Sequence, residues 1–299
     1  MIVTLTLNPS LDRTIEVVEL VRGAMVRASA ARLDPGGKGV NVSRALAAHG
    51  VATRAVLPRS GPEGEHLTDL LAGAGIDVAA VPVSGTTRSN VALVVPDGTV
   101  TKINEPGSLL HESEVDGIVT AVRDAAADAD WVVASGSLPP GVPDEFYARL
   151  CQLFAGTAVR VAVDTSGPAL KAALAAQPAL VKPNRDELAE AAGYPVETLG
   201  DAVRAAQDLR AAGAAAVLAS LAADGAVLVD ATGVSYGRST VRQPGRTRSG
   251  QANQQISSTN SRRRAGRGRL GTCRGIVASR PPAPPGRHSR QARCVSPGL

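Results

Sequence analysis

Apolar residues recur in short β-branched runs separated by longer stretches with helical spacing, and this rhythm governs the chain to about residue 237. Ile2–Leu7 is one such run, ended by Asn8-Pro9, and predicts a buried strand feeding a turn. Thr14–Val21 and Val26–Leu33 flank Arg22-Gly23; they alternate and carry charges, so they predict a flap rather than core strands. Asp34–Arg44 reads DPGGKGVNVSR and predicts a glycine turn, then a helix over roughly Val40–His49 closed by Gly50. Strands are expected at Thr53–Leu57 and Val78–Val83, with a helix at Gly64–Ala72 between them. Asn90–Val95 and Thr99–Asn104 surround Pro96-Asp97-Gly98 and predict a hairpin. Its expected partner is the earlier flap, which gives a small sheet separate from the main one.

From Glu112 onward helix and strand alternate. Helices are expected at Glu112–Ala127, Asp144–Phe154, Pro168–Ala175, Glu187–Ala192 and Leu199–Ala212, and strands at Trp131–Ala134, Val159–Val163, Leu180–Val181, Ala215–Ala219 and Ala226–Val229. Such alternation implies parallel strands with crossover helices on both faces, an α/β architecture whose ligands sit at the strands' carboxyl ends. Polar clusters fall there: Ser135-Gly136-Ser137, Asp164-Thr165-Ser166, Lys182-Pro183-Asn184 and Ser220. Asp12 is expected just beyond the first strand.

Charge changes the picture at the C-terminal end. Residues 1–237 hold 18 of the 32 Lys+Arg and all 27 acids, a formal −9, while residues 238–299 carry +14. An acidic body argues against general nucleic-acid binding by the folded part, since phosphate neutralisation needs clustered cations. Residues 238–299 contain Arg262-Arg263-Arg264, Pro281-Pro282 and Pro284-Pro285, with no acid, no lysine and almost no periodic apolar pattern, a composition that builds no packed layer. Two readings of this aberrant tail stand: a disordered basic arm that binds nucleic acid, or an out-of-frame reading of Arg-, Pro- and Gly-rich codons. The body's own preference for Arg over Lys favours the second. The chain therefore divides into a core at 1–237 and a tail at 238–299.

At 299 residues and 44% hydrophobic content, one large core or two smaller ones can be buried. Met1–Leu7 shows no basic n-region or cleavage signal, and no uncharged apolar run reaches the roughly 18 residues that span a bilayer, so no membrane partner and a cytoplasmic location are expected. Cys151, Cys273 and Cys294 are odd in number and widely spaced, which suggests neither a disulfide framework nor a zinc site.

The candidate chemistry lies in the loops. Gly36-Gly37 lets the backbone pass close to a ligand with exposed amides, and Lys38 at the start of a helix completes a place for a phosphate or a sugar hydroxyl cluster. The plainer alternative is a tight turn with a solvated lysine. In Lys182-Pro183-Asn184-Arg185-Asp186-Glu187, Asn184 and Glu187 have the spacing of a capping box, and the same oxygens can hold the waters of a hydrated magnesium ion. Arg88, beside Ser89 and Asn90, can fork onto a phosphate or remain solvated. His49, His66 and His111 lack a partnered carboxylate and are given no catalytic role.

The order of these motifs resembles the PfkB (ribokinase-like) carbohydrate kinases over roughly residues 1–237: Thr6–Asp12, PGGKGVNVSRAL from Pro35, Ser135–Gly141, Val181–Leu188 and Ser220–Gly225. Within that family it is similar to the branch acting on phosphorylated ketohexoses, the 1-phosphofructokinases above all, with tagatose-6-phosphate kinases close by. The resemblance implies a three-layer α/β/α sandwich with its C-terminal part missing and a small β-lid from about residues 12–33 and 88–105. Such lids often pair in dimers. It implies that Asp12, Gly36, Gly37, Lys38 and Asn41 hold sugar hydroxyls, that Arg88, Asn90 and Lys102 meet the substrate phosphate, and that Ser137 lies near the sugar. Lys182, Asn184, Glu187, Ser220 and Gly225 would then serve ATP and Mg²⁺, with Asn184 and Glu187 toward the metal. The implied reaction converts fructose 1-phosphate to fructose 1,6-bisphosphate; the alternatives are tagatose 6-phosphate or fructose 6-phosphate as acceptor, or an inactive sugar-phosphate-binding pseudoenzyme.

One departure bears on activity. The family's second signature, Thr-x-Gly-Ala-Gly-Asp, supplies an anion hole and the aspartate that takes the proton, and it is expected shortly after Gly237. Here Ser239–Arg246 reads STVRQPGR, and no acid follows Asp230. The resemblance therefore implies an impaired kinase with no catalytic base. Ala222 also stands where the family usually has glycine.

Overall fold

The computed structural model describes residues 1–238. The expectations for the Arg-rich tail fall, but for Arg238, outside the described residues.

Among the described residues, thirteen strands and seven α-helices follow one another in the order β1 (Ile2–Leu5), β2 (Ser10–Val17), β3 (Ala28–Gly36), α1 (Lys38–Ala48), β4 (Thr53–Arg59), α2 (Gly61–Gly73), β5 (Asp77–Pro82), β6 (Arg88–Val94) and β7 (Val100–Asn104). The second half runs α3 (Glu112–Ala125), β8 (Trp131–Ser135), α4 (Phe146–Leu153), β9 (Arg160–Asp164), α5 (Gly167–Ala175), β10 (Leu180–Val181), α6 (Arg185–Ala192), α7 (Leu199–Ala211), β11 (Val217–Ser220), β12 (Ala226–Asp230) and β13 (Gly233–Gly237).

Nine strands form the main sheet in the order β13-β12-β11-β10-β9-β8-β1-β4-β5. The seven strands from β11 to β5 are parallel, as the helix–strand rhythm requires. Alternate side chains of the central strands reach different layers. Val3, Leu5, Val132, Ala134, Val161 and Val163 join Ile118, Val122, Tyr147 and Leu150 from α3 and α4 in the larger core. Ala55 and Leu57 of β4 pack with Val40 of α1 and with Leu67 and Leu71 of α2 in the smaller one. Full burial of a leucine such as Leu67 contributes roughly 1.5–3 kcal/mol. Between β1 and α1 the contact is polar: Thr4 Oγ1 meets Ser43 Oγ at 2.7 Å, and Ser43 Oγ meets Thr53 Oγ1 at 2.9 Å.

The expected all-parallel arrangement fails at one edge. β12 and β13 run antiparallel to their neighbours. Five residues join β11 to β12 and two join β12 to β13, whereas a parallel crossover needs a dozen or more. β13 itself was not anticipated, because Gly233-Val234-Ser235-Tyr236-Gly237 is short and bounded by glycines.

The lid is a separate four-stranded sheet in the order β3-β2-β6-β7, built from the flap and the hairpin. β2 and β6 are its parallel central pair. The hairpin closes as predicted at Pro96-Asp97-Gly98, with Gly98 at φ 88° and the Val95 amide and Thr99 carbonyl 3.1 Å apart. Of the boundaries that differ from expectation, two bear on the site. β2 begins at Ser10, because its ladders continue to Ser10↔Gly36 and Ser10↔Arg88; Asp12 therefore lies within a lid strand rather than in the loop after β1. α1 begins at Lys38, immediately after Gly37 at φ 114°.

Candidate functional site

Register fixes the floor of the site. β8 and β9 end level, Ser135 opposite Asp164, and the Gly136 amide donates to the Asp164 carbonyl at 2.9 Å. The Gly136 carbonyl accepts from Tyr147 Oη at 2.8 Å and from Thr165 Oγ1 at 3.1 Å, which ties the Ser135–Gly141 loop to α4 and to β9's end. Burial, and then the Asp164 charge, push the Tyr147 phenol well above its ordinary range, so it stays a donor. Ser137 is exposed and tied to the neighbouring Asn8 loop, its Oγ accepting from Asn8 Nδ2 at 3.3 Å; unlike most residues expected on the sugar side, it does not line the cavity between the lid and α1.

A cavity of about 700 Å³ lies between the lid and the N-terminus of α1, inside the size range of small-molecule sites. Asp12, Gly37, Lys38, Asn41, Arg88, Asn90 and Lys102 all line it. Most of the residues expected on the sugar side are thus brought to one place. Gly36 acts from beneath: a Cβ there would fall on the Asp12 carboxylate. Asp12 is held by Ser10 Oγ at 2.7 Å and by Asn90 Nδ2 at 2.9 Å, the latter a cross-strand pair set by the β2–β6 register. Gly37 is required twice, by its positive φ and because a Cβ would sit 2.6 Å from Thr6 Cγ2. Arg88 donates from Nη1 to the Glu105 carbonyl at 2.8 Å and from Nη2 to the Asn8 carbonyl at 3.0 Å. Burial lowers its pKa, opposed by the charges of Asp12 and Glu105. These bonds fix its guanidinium in the cavity wall.

Lys38 joins this cavity to a cluster at the strand ends. Its Nζ donates to Asp164 Oδ1 at 2.9 Å and to Glu187 Oε1 at 3.1 Å, and Lys182 Nζ lies 3.1 Å from Asp164 Oδ2. Burial opposes the Lys38 charge, but the bonds and charges of Asp164 and then Glu187 outweigh it and raise the pKa. The capping box is real: Asn184 Oδ1 accepts from the Glu187 amide at 2.9 Å, and Glu187 Oε2 accepts from the Asn184 amide at 2.9 Å. The structural and ligand-holding readings of this motif are therefore compatible, because Glu187 keeps its second oxygen for Lys38.

Ser220 follows on the neighbouring strand, bridged to Asn184 and donating its amide to the Pro183 carbonyl at 3.0 Å. The next loop closes through the Leu221 amide and Gly225 carbonyl at 2.7 Å. Gly225 has φ 93°, and a Cβ there would meet the Gly237 carbonyl. Ala222 adopts φ 51°, a left-handed conformation in which its Cβ is strained. Arg185 Nη2 steadies the loop through Asp224 Oδ2 at 2.7 Å.

Asp164 is the residue sequence reasoning passed over. It was visible as a polar strand end, but nothing in Asp-Thr-Ser shows that two lysines distant in sequence converge on it. Arg13, Arg32 and Arg44 also line the cavity unforeseen; Arg32 Nε and Arg44 Nη2 lie 3.3 and 3.9 Å from Asp34. No group of three or more His, Cys, Asp or Glu side chains suited to a metal occurs among the described residues. The pair Asp164 and Glu187, each turning one oxygen to the same ammonium, nonetheless offers the hard oxygen donors magnesium prefers.

The chain is similar to known proteins in both sequence and fold. The profile of the pfkB family carbohydrate kinases matches residues 5–244. The chain is 41% identical over 233 residues to a 1-phosphofructokinase of Rhodobacter capsulatus, covering 76% of this chain and 73% of that protein. It is 38% identical over 232 residues to the ATP-dependent 6-phosphofructokinase isozyme 2 of Escherichia coli, covering 77% and 75%. The crystal structure of Escherichia coli phosphofructokinase-2 in complex with fructose-6-phosphate superposes with a TM-score of 0.75 at 35% identity, covering 83% of this chain and 82% of that one. The chain belongs to the PfkB family of carbohydrate kinases.

Proposed function

We propose that the site is built for ATP-dependent phosphoryl transfer to a phosphorylated ketohexose, fructose 1-phosphate in the first place, giving fructose 1,6-bisphosphate. One observation carries this reading: the cation-lined cavity opens, at Lys38, onto the Asp164–Lys182–Glu187 cluster. Asp12 and Asn41 bind sugar hydroxyls together with the Gly36-Gly37 backbone. Arg88, Asn90 and Lys102 take the sugar phosphate, and Ser137 lies near the sugar. On the other side Lys182 meets the nucleotide phosphates, and the Ser220–Gly225 loop borders the nucleotide. Asp164, Glu187 and, through water, Asn184 hold Mg²⁺, which when bound neutralises charge on the transferring group. The lid excludes water while the two reactants are held together.

Proton removal is the weak step. No acid follows Asp230, so no residue takes the family aspartate's place, and the chain is an impaired kinase. Loss of a general base costs about 10²–10⁴-fold, and loss of the anion hole a further ~10²–10³-fold. A coupled assay on the full chain is expected to show negligible turnover with fructose 1-phosphate, tagatose 6-phosphate and fructose 6-phosphate alike. Turnover near an ordinary kinase rate of roughly 1–100 s⁻¹ would contradict the impairment. Calorimetry then separates a binding-competent pseudoenzyme from a site that takes none of the three.

The partners follow from surfaces. Val100 and Ile103 are exposed on β7, a lid edge, and pairing of lids into a homodimer covers them. No helix among the described residues is long and apolar enough to cross a membrane. The functional unit is residues 1–237, and the basic tail is the one segment composed to meet nucleic acid.

A further inference from the structure

The two carboxylates of the strand-end cluster are each anchored through one oxygen. Asp164 Oδ2 faces Lys182 Nζ at 3.1 Å, and Glu187 Oε2 accepts from the Asn184 amide at 2.9 Å. Their other oxygens, Asp164 Oδ1 and Glu187 Oε1, share one side-chain partner among the described residues, the Lys38 ammonium at 2.9 and 3.1 Å. The carboxylate side chains are 10% and 14% exposed, whereas that of Lys38 is 43% exposed. Lys38 is also the first residue of α1 and lines the 700 Å³ cavity. The anions are fixed and the cation is on a flexible stem.

We propose that Lys38 is an internal cation occupying the divalent-cation position between Asp164 and Glu187, and that a divalent cation entering there displaces it toward the sugar-phosphate cavity. Two nearly buried carboxylates facing one another need a positive charge between them. The ammonium supplies one charge through hydrogen bonds; a divalent cation supplies two and binds oxygen directly, so both cannot use Oδ1 and Oε1 at once. Once released, the ammonium has an anion to meet in the cavity, the phosphate of the sugar. Cation and phosphosugar then favour each other's binding, and by linkage the effect is reciprocal. The displacement stands on the cluster geometry alone; the coupling to sugar rests on the proposed reading of the cavity.

The test uses Mn²⁺ as probe on the full chain without nucleotide, with free ion counted by electron paramagnetic resonance. Lys38→Met is expected to bind Mn²⁺ roughly 10–100-fold more tightly than the wild type, the span of an ordinary coupling energy. Adding Asp164→Asn to it is expected to abolish the gain. Equal or weaker binding by Lys38→Met overturns the proposal. A readout free of substitutions uses the wild type: reductive methylation of Lys38, followed by mass spectrometry, speeds up when Mn²⁺ is added, and an unchanged or slower rate also overturns it. In the sugar arm, Mn²⁺ tightens fructose 1-phosphate binding to the wild type but not to Lys38→Met. Tighter Mn²⁺ binding by the variant, in a protein whose wild type binds no phosphosugar, upholds the displacement and removes the cavity reading; wild-type sugar binding indifferent to Mn²⁺ overturns the coupling.

Discussion

The two halves of the site are held by different forces. On the lid side, Asp12, Asn90 and Arg88 are positioned by strand register and by bonds to hydroxyl, amide and backbone carbonyl groups. At the strand ends, Lys38 and Lys182 are positioned by ion pairs with Asp164 and Glu187. A ladder holds its side chains whether or not a ligand is present, whereas an ion-paired cluster is a provisional arrangement that charged reactants compete for. The lid side is preformed for shape, and the strand-end side is stocked with mobile charge.

The largest effect is expected at the hub of the ionic half. Asp164→Ala leaves Lys38 and Lys182 without their shared partner and should cost about 3 kcal/mol of unfolding free energy in urea titration, at the low end for a buried pair because both lysines reach solvent. A change below about 0.5 kcal/mol, the surface-site level, would mean that the cluster does not organise the strand ends.

Alkali offers a control remote from both halves. Burial pushes the Cys151 thiol from 9.0 up to about 11. The unfolded chain ionises first, so this contribution is complete below pH 9.0 and is lost as pH rises through about 11. The loss is on the order of 2–3 kcal/mol, and Cys151→Ala should remove the part that sets in between pH 9.0 and 10.0, leaving the separate loss that Tyr147, also raised by burial, adds above pH 10.0. A slope below pH 10.0 that is unchanged in the variant assigns it to other groups.

Gly36→Ala strikes the lid half, since the new Cβ meets the Asp12 carboxylate. It should weaken phosphosugar binding about 10-fold, or 1.4 kcal/mol, while leaving Mn²⁺ binding at the cluster in the absence of sugar unchanged. Parallel losses of both would show that the two halves are not independently held. The smallest effect is a gain. Ala222→Gly relieves a left-handed alanine at φ 51° and should stabilise the chain by about 1 kcal/mol; a loss would show that the loop is not strained.

How much of this could be read beforehand follows the same division. The strands and helices of the main sheet were legible because apolar periodicity encodes burial, and the hairpin because Pro96-Asp97-Gly98 encodes a turn. Strand direction at the β12–β13 edge required attention to connection length rather than rhythm. Asp12 was singled out as a candidate site residue but set in a loop, since pairing on both sides, which sequence does not display, is what draws Ser10–Asp12 into β2. Lys38, Lys182 and Glu187 were each found through local motifs. Their union through Asp164 was not, because the separation of Lys38 from Asp164 is 126 residues and no local spacing records it.

The most direct test of the central claim is calorimetric titration of fructose 1-phosphate in the presence of Mn²⁺, with unphosphorylated fructose as reference, into the full chain and into Lys38→Met. The account predicts saturable binding of the phosphorylated sugar alone and a roughly 10-fold or greater loss in the variant. Equal heats for the two sugars, or the same affinity in Lys38→Met, would contradict it.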